Sequence, residues 1–259
     1  AVFTVSKTAD TDDGVCDSDC SLREAINAVN SNGPGADVIE FDIPGSGVKT
    51  ISITTELPEI GSSVTIDGTT QTGYFGKPMI EINGENALNS HGVSISHGAG
   101  FVTTHVIVKA LAINRHLYGI YGKCFSRCDI TLQGNFIGTD PDGTFAQKNA
   151  IGVYIIPRND SVVTIGGPGL FEGNVISGNG DVGIDDGWPG SAIRIRPDFA
   201  AQDNLYTGQV IIQGNKLGTN YSGDAIIGNE DYGVLISEVS EQTNADVGNI
   251  DVTIGGSTS

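Results

Sequence analysis

The stretch Ile130-Thr131-Leu132-Gln133-Gly134-Asn135-Phe136-Ile137-Gly138-Thr139-Asp140 decides how this chain is read, because it returns. From Val210 the chain runs Val210-Ile211-Ile212-Gln213-Gly214-Asn215-Lys216-Leu217-Gly218-Thr219-Asn220. The two copies then stay in step. Gly143 answers Gly223, Asn149 answers Asn229, and Gly152-Val153 answers Gly233-Val234. Both close on one phrase, Val163-Thr164-Ile165-Gly166-Gly167 and Val252-Thr253-Ile254-Gly255-Gly256. A third Gly-Asn-x-Ile, Gly173-Asn174-Val175-Ile176, stands about halfway between the first two. A fixed period marks an array whose units bury their apolar faces against one another. Roughly 40 residues is long enough for about two turns of a solenoid at ~20 residues per turn.

Outward from this repeat the same texture continues. Short β-branched runs at 38–41, 50–53, 64–66, 79–82, 93–95, 106–108, 111–113, 130–132, 152–155 and 192–195 alternate apolar and polar residues. Alternation places the apolar side chains of a strand on one face. Gly, Asn and Asp break the runs too often for βαβ units, and no run after residue 31 is a helix long enough for a crossover. The fold class expected is all-β, a parallel β-helix (solenoid) in which coils stack about 4.8 Å apart over a continuous interior. Asn at equivalent inward turns can stack into a ladder whose amides bond from coil to coil. Asn135, Asn174 and Asn215 are the candidates for ladder or corner roles, with Gly134, Gly173 and Gly214 supplying backbone freedom beside them. The plain alternative is a solvent-facing turn residue.

The first 36 residues differ. Residues 2–5 alternate like a strand, and an acidic loop with Asp10, Asp12, Asp13, Asp17 and Asp19 follows. Ser21 and Glu24 then form a Ser-x-x-Glu capping box, in which each side chain serves the other's free amide. Leu22, Ala25, Ile26 and Val29 fall on one face of the helix this starts. The Asn32-Gly33-Pro34-Gly35 run ends it. One amphipathic helix in a strand-rich chain needs an apolar surface to cover. The open end of a sheet stack is such a surface, so residues 1–36 are expected to form an N-terminal strand, disulfide loop and capping helix. Residues 37–259 form the coils, in one continuous domain.

Composition narrows the partners. The chain has 259 residues, enough for one large domain, with 37 Gly and 31 acidic against 13 basic residues. A formal charge of -18 argues against nucleic acid and against anionic membrane surfaces, which both need clustered Lys and Arg. It suits a secreted protein and divalent cations. No apolar run reaches the ~20 residues of a membrane span, so no membrane insertion is expected. The chain opens on Ala1 without Met or a signal segment, read as a mature end or a boundary. Its cysteines form two Cys-x-x-x-Cys pairs, Cys16/Cys20 and Cys124/Cys128. These read as local disulfides in an oxidising compartment, with zinc as the rival. His91, His97, His105 and His116 show no metal-type spacing with them.

Cys20-Ser21-Leu22-Arg23-Glu24-Ala25-Ile26 closely resembles the N-terminal signature of the CSLREA-type secreted right-handed parallel β-helix proteins. Phe3-Thr4-Val5 before it fits that family, as do Val64-Thr65-Ile66-Asp67-Gly68 and the Gly-Asn-x-Ile-Gly-Thr-Asp and Gly173-Asn174-Val175-Ile176-Ser177-Gly178-Asn179 phrases after it. The resemblance covers nearly the whole chain. It implies a right-handed helix hand, secretion or a cell-surface location, and a structural or adhesive role; it carries no catalytic residues. Such chains run on into further repeats, whereas this one stops at Ile254-Gly255-Gly256-Ser257-Thr258-Ser259 without a capping helix, so either it was cut from something longer or another molecule covers the bare last coil. That motivates the expectation of end-to-end self-association through the bare last coil, which would build a filament.

Other chemistry was weighed against this. Asp185-Asp186, the His91 and His97 loops and Arg194-Ile195-Arg196 resemble pieces of the polygalacturonase set, but their order is wrong. A polysaccharide lyase or hydrolase, or a non-catalytic carbohydrate-binding solenoid, is the alternative function, with polysaccharide as partner. The sequence marks no cofactor with certainty. Ca2+ is the candidate ligand, at Asp10, Asp12, Asp13, Asp17 and Asp19, with Asp140 and Asp142 second; acidic turns are the plain alternative. Trp188 in Gly187-Trp188-Pro189 can pack on the wall or stack on sugar. Asn159 and Asn220 each open an N-glycosylation triplet.

Overall fold

A computed structural model of the chain describes residues 1–33, 35–87, 89–97, 103–124, 127–157, 160–182, 190–196, 208–237 and 250–255, with backbone alone for 97 and 250. The fold is mostly β, with three parallel sheets and, among the described residues, one α-helix. The first sheet has eight strands: Val2–Val5, Asp37–Phe41, Val64–Asp67, Thr104–Lys109, Cys128–Gln133, Val162–Gly166, Gly208–Gln213 and Ile250–Ile254. The second has six: Lys49–Ser52, Ile80–Asn83, Leu111–Asn114, Phe136–Ile137, Val175–Ile176 and Lys216–Leu217. The third has five: His91–His97, Tyr118–Cys124, Ile151–Ile156, Ser191–Ile195 and Tyr232–Ile236. From Asp37 onward the chain visits the sheets in strict rotation, first to second to third. An isolated bridge from Ile60 to Ile95 fills the third-sheet place in the earliest circuit.

Alternation sets which side chains face inward, and register stacks them in columns. On the first sheet Ile39, Ile66, Val108, Leu132, Ile165 and Ile212 are successive partners, each at most 2% exposed. On the second, Ile51, Ile82, Ile113, Ile137 and Ile176 do the same. On the third, Val93, Ile120, Val153 and Ile193 complete the wall. These columns share one hydrophobic core. Each buried Val, Leu or Ile side chain contributes about 1.5–3 kcal/mol of transfer free energy, so the columns are the main source of cohesion.

The repeat is one circuit, which corrects the expectation of two turns. Asn135 bonds directly to Asn174, 39 residues on, and Asn174 to Asn215, 41 residues on. The extra length lies in excursions between sheets. After Phe136–Ile137 the chain leaves the wall, makes an antiparallel bridge from Thr139 to Ala146, and rejoins only at Ile151. Such residues add length without adding a rung. Glycine needs also differ by position: Gly134 and Gly214 have φ of 62° and 70°. Gly173 does not need positive φ but needs space, since a Cβ there would sit 2.0 Å from the Gly214 carbonyl oxygen.

The helix is Leu22–Ser31 with Ser21 as its N-cap, and both bonds of the capping box are made. Leu22, Ala25, Ile26 and Val29 are buried and join the same core as Val5 and Phe41. The cysteines form two disulfides, Cys16–Cys20 before the helix and Cys124–Cys128 across a corner between the third and first sheets. No helix among the described residues is long and apolar enough to cross a membrane.

Candidate functional site on the third sheet

The site begins with Arg23, on the helix. Its guanidinium grips both carboxylate oxygens of Asp10, at 2.9 and 3.0 Å, and donates to the carbonyls of Thr55 and Glu56 at 2.9 and 2.8 Å. Asp10 in turn accepts from the Thr54 amide and hydroxyl at 2.8 and 3.0 Å. Burial works to raise the Asp10 carboxyl, but the Arg23 and Thr54 hydrogen bonds prevail and hold it below its ordinary value. The start of the segment, Thr54 to Glu56, is therefore held as a wall beside the first strand of the third sheet, and Asn30 Nδ2 donates to the Glu59 carbonyl at its other end, at 2.7 Å. A planar five-donor fork suits this task, which no single ammonium reproduces.

Alternation along the third sheet turns Val93, Ile95, Ile120, Val153 and Ile155 into the core. It sets Ser94, Tyr121, Tyr154 and Arg194 in one row across four strands; His91 and Tyr118, paired with each other at the strand starts, break the alternation and join the outer rings. The rings meet. His91 and Tyr121 stack with centroids 4.8 Å apart and planes 18° apart, and Tyr118 lies 5.0 Å from His91. Tyr154 meets Tyr118 edge-on at 5.0 Å, and the Arg194 guanidinium sits 5.3 Å from the Tyr154 centroid. The Glu56 carboxylate reaches back to His91 Nδ1.

Where the ring row meets the Thr54–Glu59 wall lies an open cleft of about 400 Å³, lined by Glu56, Leu57, Glu59, His91, Ser94 and Tyr121. A second cleft of about 330 Å³ shares Glu56 with it and includes Asn89 and Ser90. Sequence reading singled out the His91 loop and Arg194-Ile195-Arg196 for another reason and missed the tyrosines. Tyr118 and Tyr121 share one strand, but His91 and Tyr154 come from the strands on either side, and only register brings the four rings together.

The asparagines singled out by the repeat lie elsewhere, at the corner between the first and second sheets. Asn135 donates from its amide and Nδ2 to Asn174 Oδ1 at 2.9 and 3.1 Å. Asn174 does the same to Asn215 Oδ1 at 3.0 and 2.8 Å. Each also donates to a main-chain carbonyl below, Asn135 to Val108, Asn174 to Leu132 and Asn215 to Ile165. A second column, which sequence reading missed, occupies the corner between the second and third sheets. The Ser90 hydroxyl lies 3.1 Å from His116 Nδ1, and the His116 amide donates to Asn149 Oδ1 at 2.9 Å. Asn149 Nδ2 donates to Asn179 Oδ1 at 3.1 Å, and Asn179 to Asn229 Oδ1 at 2.9 Å. The signal was present in the matched positions of Asn149 and Asn229. Burial, first of all, pushes His116 down to about 4. Ser90 on Nδ1 and the Ile82 carbonyl 3.3 Å from Nε2 together assign the neutral ring with its proton on Nε2.

The five aspartates of the N-terminal loop do not gather around one point. Asp10 is held by Arg23; Asp12 and Asp13 accept from the amides of Gly14 and Val15; Asp17 accepts from that of Asp19, and Asp19 pairs with Lys7 at 3.0 Å. Among the described residues no group of three or more His, Cys, Asp or Glu is placed to hold a metal ion. Asp140 accepts from the amides of Thr144 and Phe145, a turn role, and Asp142 pairs with Lys77. Asn220 Nδ2 donates to Asp224 and its Oδ1 accepts from three following amides. Asp185, Asp186, Trp188 and Asn159, and the side chain of His97, lie outside the described residues. Compared with protein-family models and with curated proteins, the chain finds no match.

Proposed function

We propose that this chain is a non-catalytic extracellular or cell-surface scaffold, a right-handed parallel β-helix closed at one end by its helix and used for its shape. The observation that carries this reading is the fate of the repeated polar residues. The two corner columns spend their amides on the next circuit, so what the chain repeats is a device for stacking circuits. Rotation through three sheets, the shared core and the disulfides support the same reading; the disulfides suit an oxidising compartment. End-to-end self-association through the last coil belongs to the same proposal, with the helix-covered end rather than bare core as the face it would meet. Leu22–Ser31 packs its apolar face on the core beside Val2–Val5.

Two measurements test the proposal. In an open stack the first and last strands of the first sheet are seven spacings apart, about 34 Å at ~4.8 Å each. Double electron–electron resonance between labels at Thr4→Cys and Thr253→Cys, both exposed, is expected to give that distance. A separation below about 15 Å would mean that the sheet closes on itself as a barrel. For function, incubation with neutral and acidic polysaccharides is expected to release neither reducing nor unsaturated ends. Turnover on any of them would replace the scaffold by a lyase or hydrolase.

A further inference from the structure

Beyond the scaffold, we infer that the cleft at the end of the ring row on the third sheet is a binding subsite for a neutral polysaccharide. The inference stands on the side chains that meet there and is independent of the architecture proposed above.

The cleft's volume, about 400 Å³, lies in the ~300–1,000 Å³ range of small-molecule sites. Its lining combines two kinds of surface. His91 and Tyr121 offer aromatic carbon. Glu56, Glu59 and Ser94 offer oxygens. A pyranose ring has the matching duality, with C–H faces that pack on aromatic carbon and a rim of hydroxyls that donate to carboxylates. A hydrogen bond to an ionised acceptor is about twice as strong as a neutral one. The second cleft continues past Glu56 to Asn89 and Ser90, which gives a chain of sugars polar partners on both sides of that carboxylate.

Charge decides the class of sugar. Among the described residues no Lys or Arg lines either cleft, two carboxylates flank the larger one, and the chain carries -18. A uronate chain would bring like charge against Glu56 and Glu59 at a cost. A compact organic cation is the other ligand that aromatic rings and carboxylates attract. It is disfavoured because the two rings lining the cleft lie nearly parallel, 18° apart, so their faces do not converge on one point. The Arg23 and Asp10 bonds hold Thr54, Thr55 and Glu56 in place without a ligand, which lowers the ordering cost of binding.

The test is affinity electrophoresis of the full chain in gels containing galactomannan, mixed-linkage β-glucan, dextran or polygalacturonate, with calorimetry against tetramethylammonium. Retardation by at least one neutral polysaccharide is expected. Tyr121→Ala should weaken it about tenfold or more, as loss of an aromatic anchor does, while Tyr121→Phe retains it. Glu59 is exposed, so Glu59→Ala serves as a second variant that leaves the core untouched and should weaken binding several-fold. No retardation by any neutral polysaccharide overturns the inference. So does retardation that neither Tyr121→Ala nor Glu59→Ala alters, or binding confined to polygalacturonate or to tetramethylammonium.

Discussion

His116 shows how one side chain can set a pH limit. It stands in the corner column where later circuits place asparagine, fully buried, and its pKa is pushed down to about 4. In the unfolded chain an imidazole titrates near 6.5. The unfolded state therefore takes up the proton first as pH falls. The full contribution is present above about pH 6.5, declines below it and is gone near pH 4. The gap corresponds to about 3 kcal/mol. Urea titrations at pH 7, 5.5 and 4.5 are expected to show this loss, and His116→Gln to flatten it; an unchanged slope in the variant would assign the loss to other groups. Glu24 acts in a lower window. Burial would raise its carboxyl, but the Ser21 and Asp13 amides more than offset this and hold it low. Its contribution is whole above about pH 4.5 and fades as pH falls further. In the first column, Asn174→Ala removes donors to Leu132 and Asn215 and the acceptor of Asn135. The expected cost is about 2–4 kcal/mol, against about 1 kcal/mol for Asn215→Ala at the half-exposed end of the column. Equal costs would show that the column does not act as a column.

At the scale of elements, the helix does two jobs. Its apolar face joins the core, and Arg23 reaches from beside that face to hold the wall of the cleft. Arg23→Lys keeps the charge but not the four directed bonds, and should cost about 1–3 kcal/mol. Amide exchange separates the jobs: Thr54, whose amide donates to Asp10, should exchange at least about tenfold faster, while the amides of Leu22–Ser31 keep their protection. Unchanged protection at Thr54 would mean that the wall is held by something else. The Cys124–Cys128 bridge ties the end of one sheet to the start of the next across four positions. Closing so short a loop restrains the unfolded chain by about 2 kcal/mol. Replacing both cysteines by alanine should lower the denaturation midpoint accordingly.

On the proposed architecture the three sheets act together as a stack of circuits. Each strand of the first sheet bonds only to its neighbours in that order, so stability is passed from circuit to circuit. Ile130 and Leu132, mid-stack, are fully buried, while Tyr232, Ile236 and Ile254 are 46%, 49% and 58% exposed. Hydrogen exchange is therefore expected to grade along the stack, slowest at Cys128–Gln133 and faster at Gly208–Gln213 and Tyr232–Ile236. Uniform protection would indicate one cooperative unit instead.

What the sequence determined by itself was local and periodic. The capping box, the apolar face of the helix, the inward residues of most strands and the equivalence of Asn135, Asn174 and Asn215 all depend on near neighbours or on a repeated phrase. Their physics is contained in a few consecutive residues. The length of a circuit was misjudged because excursions such as 138–150 add residues without adding strands, and only pairing shows where the wall resumes. The tertiary structure alone decided the rest. It joined Ser90 and His116 to the second asparagine column, took the aspartates of the acidic loop for separate structural bonds, and brought His91, Tyr118, Tyr121 and Tyr154 onto one face beside Glu56. Each of these depends on register between strands distant in sequence. A shift of one residue there would turn the rings inward and the isoleucines out.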